Sequence, residues 1–147
     1  MKHNRIWTAL FAFYCALMLW LLFDRSGYEP GVPYAHQLRW NLIPFETVVL
    51  FFRLLGSGNP GYRMHAIINL GGNILMFIPL GIFLPLLFPR LRKLHKTLLA
   101  TALIITAVEL TQLLTLVGSC DVDDLMLNVL GAALGFGIYI KTHKPAP

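Results

Sequence analysis

Long apolar blocks alternate with short polar links along the chain. The first block, "IWTALFAFYCALMLWLLF" (6–23), carries no charge. A second runs over 66–88, a third over 97–117 and a fourth over 122–140. Each is close to the roughly 20 residues that span hydrocarbon as a helix. The pattern predicts an all-α polytopic membrane protein with four transmembrane helices. Pro79 and Pro85 fall inside the second block, and membrane helices tolerate proline where neighbours satisfy the freed carbonyls. Residues 45–55 are apolar too, but they amount to only about half a span. They predict a short interfacial or re-entrant helix, with Trp40 suited to the aromatic belt and "GSGNPG" (56–61) closing it with turn residues. The preceding stretch, "DRSGYEPGVPYAHQ" (24–37), is turn-rich, with Gly27, Pro30, Gly31 and Pro33.

Composition agrees with a bilayer. Apolar types make up 56% of the 147 residues and charged types 13%, where a soluble domain carries about a quarter charged residues. The length predicts a single domain, 1–147. The first block has a basic flank, "MKHNR". Its apolar run is long for a secretory signal and no small-x-small cleavage site follows, so an uncleaved anchor is expected.

Lysine and arginine set the orientation. Lys2 and Arg5 precede the first helix, Arg90, Arg92, Lys93 and Lys96 fill the link 89–96, and Lys141 and Lys144 follow the last helix. The link "GSCDVDD" (118–124) has no basic residue. Both termini are therefore expected in the cytoplasm, with the acidic link and the 24–65 segment outside. Arg25, Arg39, Arg53 and Arg63 in that outer segment oppose the rule. The net charge of +5 reads as topology signal and attraction to anionic lipid. The basic residues form no stripe, which argues against a nucleic-acid partner. Cys15 and Cys120 are expected at different depths, which argues against a disulfide between them. The five histidines show no metal-ligand spacing, and no motif implies a cofactor or a metal.

The polar residues inside the blocks gather at one depth. Asn69 and Asn73 lie in the outer half of the second span, Glu109 and Gln112 in that of the third, and Asp123, Asp124 and Asn128 in that of the fourth. Asn73, Glu109 and Asn128 each fall roughly 8–13 Å inside the outer boundary. Asp124, Asn128, Gly131 and Gly135 are spaced to form one stripe, whose glycines permit close helix approach. An acid at this depth costs about 3 kcal/mol even on the mild insertion scale. Glu109 must therefore be protonated and hydrogen-bonded to Asn73 and Asn128, or stay charged beside a cation such as Arg53 or Arg63. The same residues also admit a structural reading. Asp121 can cap the fourth helix with Asp123 and Asp124 in its first turn, and the amides can serve as packing glue.

Four segments, "NLIPF" (41–45), "NLGGNILMFIPLG" (69–81), "ELTQ" (109–112) and "DVDDLMLNVLGAALG" (121–135), resemble the VanZ-like family in order and spacing. That family is named for a protein associated with resistance to the glycopeptide teicoplanin. Its pattern falls on Asn41, Pro44, Phe45, Asn73, Phe77, Pro79, Gly81, Glu109, Gln112, Asp121, Asp124, Asn128 and Gly131. The resemblance implies a bacterial integral membrane protein with a cell-envelope role.

The expected ligand-binding residues are thus Asn41, Asn69, Asn73, Glu109, Gln112, Asp121, Asp124 and Asn128. The expected function is an outward-facing polar pocket for a lipid-linked cell-wall precursor, a lipid head group or a glycopeptide antibiotic. Membrane lipids are expected partners, and a homo-oligomer fits the small span number. The alternative is a membrane-embedded enzyme acting on a lipid or phosphate-linked substrate, with Glu109 and Asp124 as candidate catalytic groups. Against it, no nucleophile–base set or phosphate loop is recognisable.

Overall fold

The computed structural model describes residues 2–23, 40–115 and 120–143. The turn-rich stretch 24–37, Arg25, Arg39, positions 116–119 and Lys144 lie outside them. The elements run α1 (Lys2–Phe23), β1 (Trp40–Asn41), α2 (Glu46–Leu55), α3 (Pro60–Leu87), a 3-10 turn (Pro89–Leu91), α4 (Leu94–Thr115), β2 (Cys120–Asp121) and α5 (Val122–Thr142). Helices α1, α3, α4 and α5 are long and apolar enough to cross a membrane. The two strands form only a two-residue parallel bridge, with Trp40 opposite Cys120 and Asn41 opposite Asp121.

α3 begins six residues before the expected 66, at Pro60. The reason lies in "GSGNPG". Gly56 ends α2 with its N–H on the Arg53 carbonyl at 3.1 Å. Asn59 then caps α3, accepting from Gly61 N at 2.8 Å. Pro60 fills the first helical position, where a missing N–H costs nothing. One hexapeptide therefore stops one helix and starts the next. α3 stays helical through Pro79 and Pro85.

The centre of the fold is the α3–α5 pair, which runs parallel. A Cβ on Gly131 would lie 2.2 Å from the Ile74 carbonyl oxygen, and one on Gly135 would lie 2.0 Å from that of Ile78. Facing them, a Cβ on Gly81 would lie 2.0 Å from the Ala132 carbonyl oxygen. The two backbones touch because these positions lack side chains, which is how membrane helices gain dispersion contact without a hydrophobic driving force.

α1 lies against α3. Tyr14 donates to the Met76 carbonyl at 2.9 Å, and Phe11 and Tyr14 pack on Phe83 with ring centroids 5.5 and 5.8 Å apart. The apolar core joins Met18 of α1, Phe77, Leu80 and Leu84 of α3, and Ile105 of α4. Phe13, Trp20, Leu75, Leu99, Leu103 and Leu114 are exposed. That much outward apolar surface suits a chain whose solvent is lipid.

Candidate functional site

The segment "NLIPFETV" (41–48) approaches the start of α5. α2 lacks a capping side chain of its own, because Phe45 occupies the N-cap position in the left-handed region, with φ 68°. The cap comes from α5. Asp123, completely buried, accepts from Phe45 N at 2.6 Å on one carboxylate oxygen and from Val48 N at 3.0 Å on the other. A carboxylate at a helix N-terminus satisfies orphan amides and meets the positive end of the helix dipole.

A second set of bonds ties the same segment down. Asn41 donates from its amide to the Thr47 hydroxyl at 2.9 Å. Thr47 donates to Asp121 Oδ2 at 2.6 Å. Asp121 Oδ1 accepts from Asp123 N at 2.8 Å, capping α5, and Asp121 N donates to Glu109 Oε2 at 3.3 Å. Two of the three aspartates thus hold α2 and its approach onto α5.

The third does not. Asp124 accepts a short hydrogen bond from the Asn73 amide of α3. Glu109 of α4, only 7% exposed, is held at the same end by the bond from Asp121 N. One turn deeper on α5, Asn128 is 3% exposed and its Oδ1 has no hydrogen-bond partner. Three helices thereby bring Asn73, Glu109, Asp124 and Asn128 to one end of the bundle. Asn41 and Asp121 belong to the adjoining lock.

Two expected site residues point elsewhere. Asn69 donates to the His65 carbonyl of its own helix at 2.8 Å. Gln112 donates to the Leu22 carbonyl at 2.7 Å, fastening α4 to the end of α1. Arg53 and Arg63 are exposed, and no basic side chain among the described residues pairs with the acids. Among the described residues, no three His, Cys, Asp or Glu side chains converge to hold a metal ion.

Sequence reasoning missed Thr47 and the role of Asp123. The available signal was negative: "NLIPF" precedes an apolar helix yet offers no capping residue at position 45. Cys120 is unpaired and partly buried beside this site. Burial pushes its thiol above the ordinary value, and the carboxyls of Glu109 and Asp121 push it the same way.

Chemically, the site is rich in acceptors. Its acceptors include the Glu109 and Asp124 carboxyls and the unpartnered Asn128 carbonyl. Such an arrangement suits a ligand that brings its own N–H or O–H groups.

The family model described as VanZ/LLP1 matches residues 11–143. The chain is also 26% identical over 136 residues to Protein VanZ of Enterococcus faecium, covering 92% of this chain and 74% of that protein. No solved structure matches the chain. The chain therefore belongs to the VanZ/LLP1 family and is a multi-pass membrane protein.

Proposed function

We propose that the protein acts in the bacterial cell envelope through a polar site opening to the outer leaflet of the plasma membrane. Both termini face the cytoplasm in this reading. The site takes the polar part of a lipid-linked cell-wall precursor, a lipid head group or a glycopeptide, and so contributes to the teicoplanin resistance after which the family is known. The observation that carries it is the bond between Asn73 and Asp124 at the end of the bundle where Asp121 N holds Glu109, with Asn128 buried one turn deeper on α5. The basic link Arg90–Lys96 sits at the opposite end of α3 and α4, where the positive-inside rule places cytoplasm.

Catalysis by Glu109 and Asp124 on a phosphate-linked substrate is the competing reading. It lacks support from the described residues, because phosphate is met by Arg or Lys and no basic side chain pairs with these acids.

The test expresses wild type, Glu109→Gln and Asp124→Asn in a teicoplanin-sensitive bacterial host, with membrane abundance measured. The reading predicts that wild type lowers susceptibility or restores an envelope phenotype, and that both variants lose this at normal abundance. Full activity of both variants at normal abundance would overturn it.

A further inference from the structure

The acceptor-rich site carries a narrower statement about its ligand, which rests on the reading above. An acid cluster alone says little, since paired acids can be structural. The independent observation is Asn128. Its carbonyl oxygen is buried in a residue 3% exposed and has no partner. Buried polar atoms are almost always paired, and leaving one unmatched is costly.

The orientation of Asn128 follows from its neighbours on α5. Asp124 and Asn128 are four apart, and Gly131 follows three later, so all three share one face. Asp124 is bonded to Asn73, and Gly131 packs against the backbone of Ile74. These two contacts bracket Asn128 and turn its side chain toward α3, one turn beneath the Asp124 carboxyl. Glu109 closes the cluster from α4, held by Asp121 N.

The other polar groups do not meet this surplus. Asn73 is committed to Asp124. No described lysine, arginine or histidine pairs with the acids. A bare divalent cation wants several converging oxygens at short range, and no three acidic, histidine or cysteine side chains converge here. An anionic group would meet carboxyls with no compensating cation among the described residues. A ligand carrying positive charge together with several N–H donors matches all three acceptors, each able to take a separate donor.

We infer that the site among Glu109, Asp124 and Asn128 binds a primary ammonium group. Two envelope sources share that chemistry: the head group of an ethanolamine phospholipid, and a free amine on a cell-wall peptide. The N–H donors are the discriminating feature. A trimethylammonium has the same charge and no donor, so it leaves Asn128 unmatched.

The test uses the full-length protein in phosphatidylcholine nanodiscs, titrated calorimetrically in two arms. One arm adds short-chain phosphatidylethanolamine, with short-chain phosphatidylcholine and an anionic short-chain phosphatidylglycerol as its controls. The other adds an N-terminally acetylated lysine-containing peptide, with its Nε-acetylated form as the control. The expected result is saturable binding in at least one arm, at least about tenfold tighter than its control. The arm that saturates identifies the source. Asn128→Leu is expected to weaken that binding by at least about tenfold. The wild-type comparison stands even if that variant fails to fold.

Equal binding of the primary amine and its control would overturn the inference, as would preference for an anionic phospholipid. In either case the envelope-binding reading survives if the Glu109→Gln and Asp124→Asn variants lose the phenotype. Absence of saturable binding in both arms would also overturn the inference. If those variants additionally keep the phenotype, both readings fall.

Discussion

Asp123 of α5 caps α2 across 78 positions of sequence, its Oδ1 2.6 Å from Phe45 N. The acidic run before α5 is therefore part of the architecture as well as of the proposed site. Removing this carboxylate leaves two amides of a buried junction without acceptors. Asp123→Ala is expected to lower stability by about 1–3 kcal/mol. Asp123→Asn, which keeps one acceptor, should cost less. Amide hydrogen exchange checks the mechanism: protection should fall at Phe45 and Val48 before it falls in α3.

The glycine contact between α3 and α5 makes a paired prediction. A Cβ at Gly135 would lie 2.0 Å from the Ile78 carbonyl oxygen, whereas one at Gly137 meets nothing within 4 Å. Gly135→Ala must push two backbones apart and is expected to cost about 1–3 kcal/mol or more. Gly137→Ala gains helix propensity and is expected to be neutral or stabilising by up to about 1 kcal/mol. Thermal unfolding in detergent compares the two. Equal effects would show that the helices do not approach as described.

Gln112 separates structural amides from site amides. It binds the Leu22 carbonyl at 2.7 Å, so Gln112→Leu should loosen α1 at a cost of about 1 kcal/mol. Teicoplanin susceptibility should stay at the wild-type level once abundance is matched. Loss of the phenotype at matched abundance would place Gln112 in the site after all.

Cys120 gives a pH prediction. Its thiol is raised by burial first, then by Glu109 and Asp121. The thiolate is the reactive form, so a raised value means less thiolate at a given pH. Maleimide labelling of Cys120 in a Cys15→Ser background should be slower at pH 7 than that of a free thiol. It should keep rising to higher pH. Glu109→Gln removes one of the groups that raise the thiol, so labelling should quicken and its pH curve shift downward.

The spans were legible because lipid imposes a simple rule: about 20 apolar residues in a row. α4 and α5 begin within a few residues of expectation for that reason. The start of α3 was less legible, since a hydropathy run marks where hydrocarbon begins and not where Asn59 and Pro60 cap a helix. Depth and spacing put Asn73, Asp124, Glu109 and Asn128 at one end of the bundle, but the expected bonds from Glu109 to Asn73 and Asn128 are not formed: Asn73 bonds Asp124 and Glu109 accepts from Asp121 N. Periodicity shows which residues share a face, but not which neighbour that face meets. Asn69 bonding back to His65 and Gln112 reaching Leu22 are invisible to it. The Asp123 cap is non-local, so only the missing cap at Phe45 hinted at it.

The most direct measurement concerns the side of the membrane on which the site opens. Cys120 stands beside Asp121 at that end of the bundle. In the Cys15→Ser background, a membrane-impermeant maleimide applied to intact cells at mildly alkaline pH is expected to label Cys120. Permeabilisation should add little. Labelling that appears only after permeabilisation would put the acidic end in the cytoplasm and contradict an envelope-facing site.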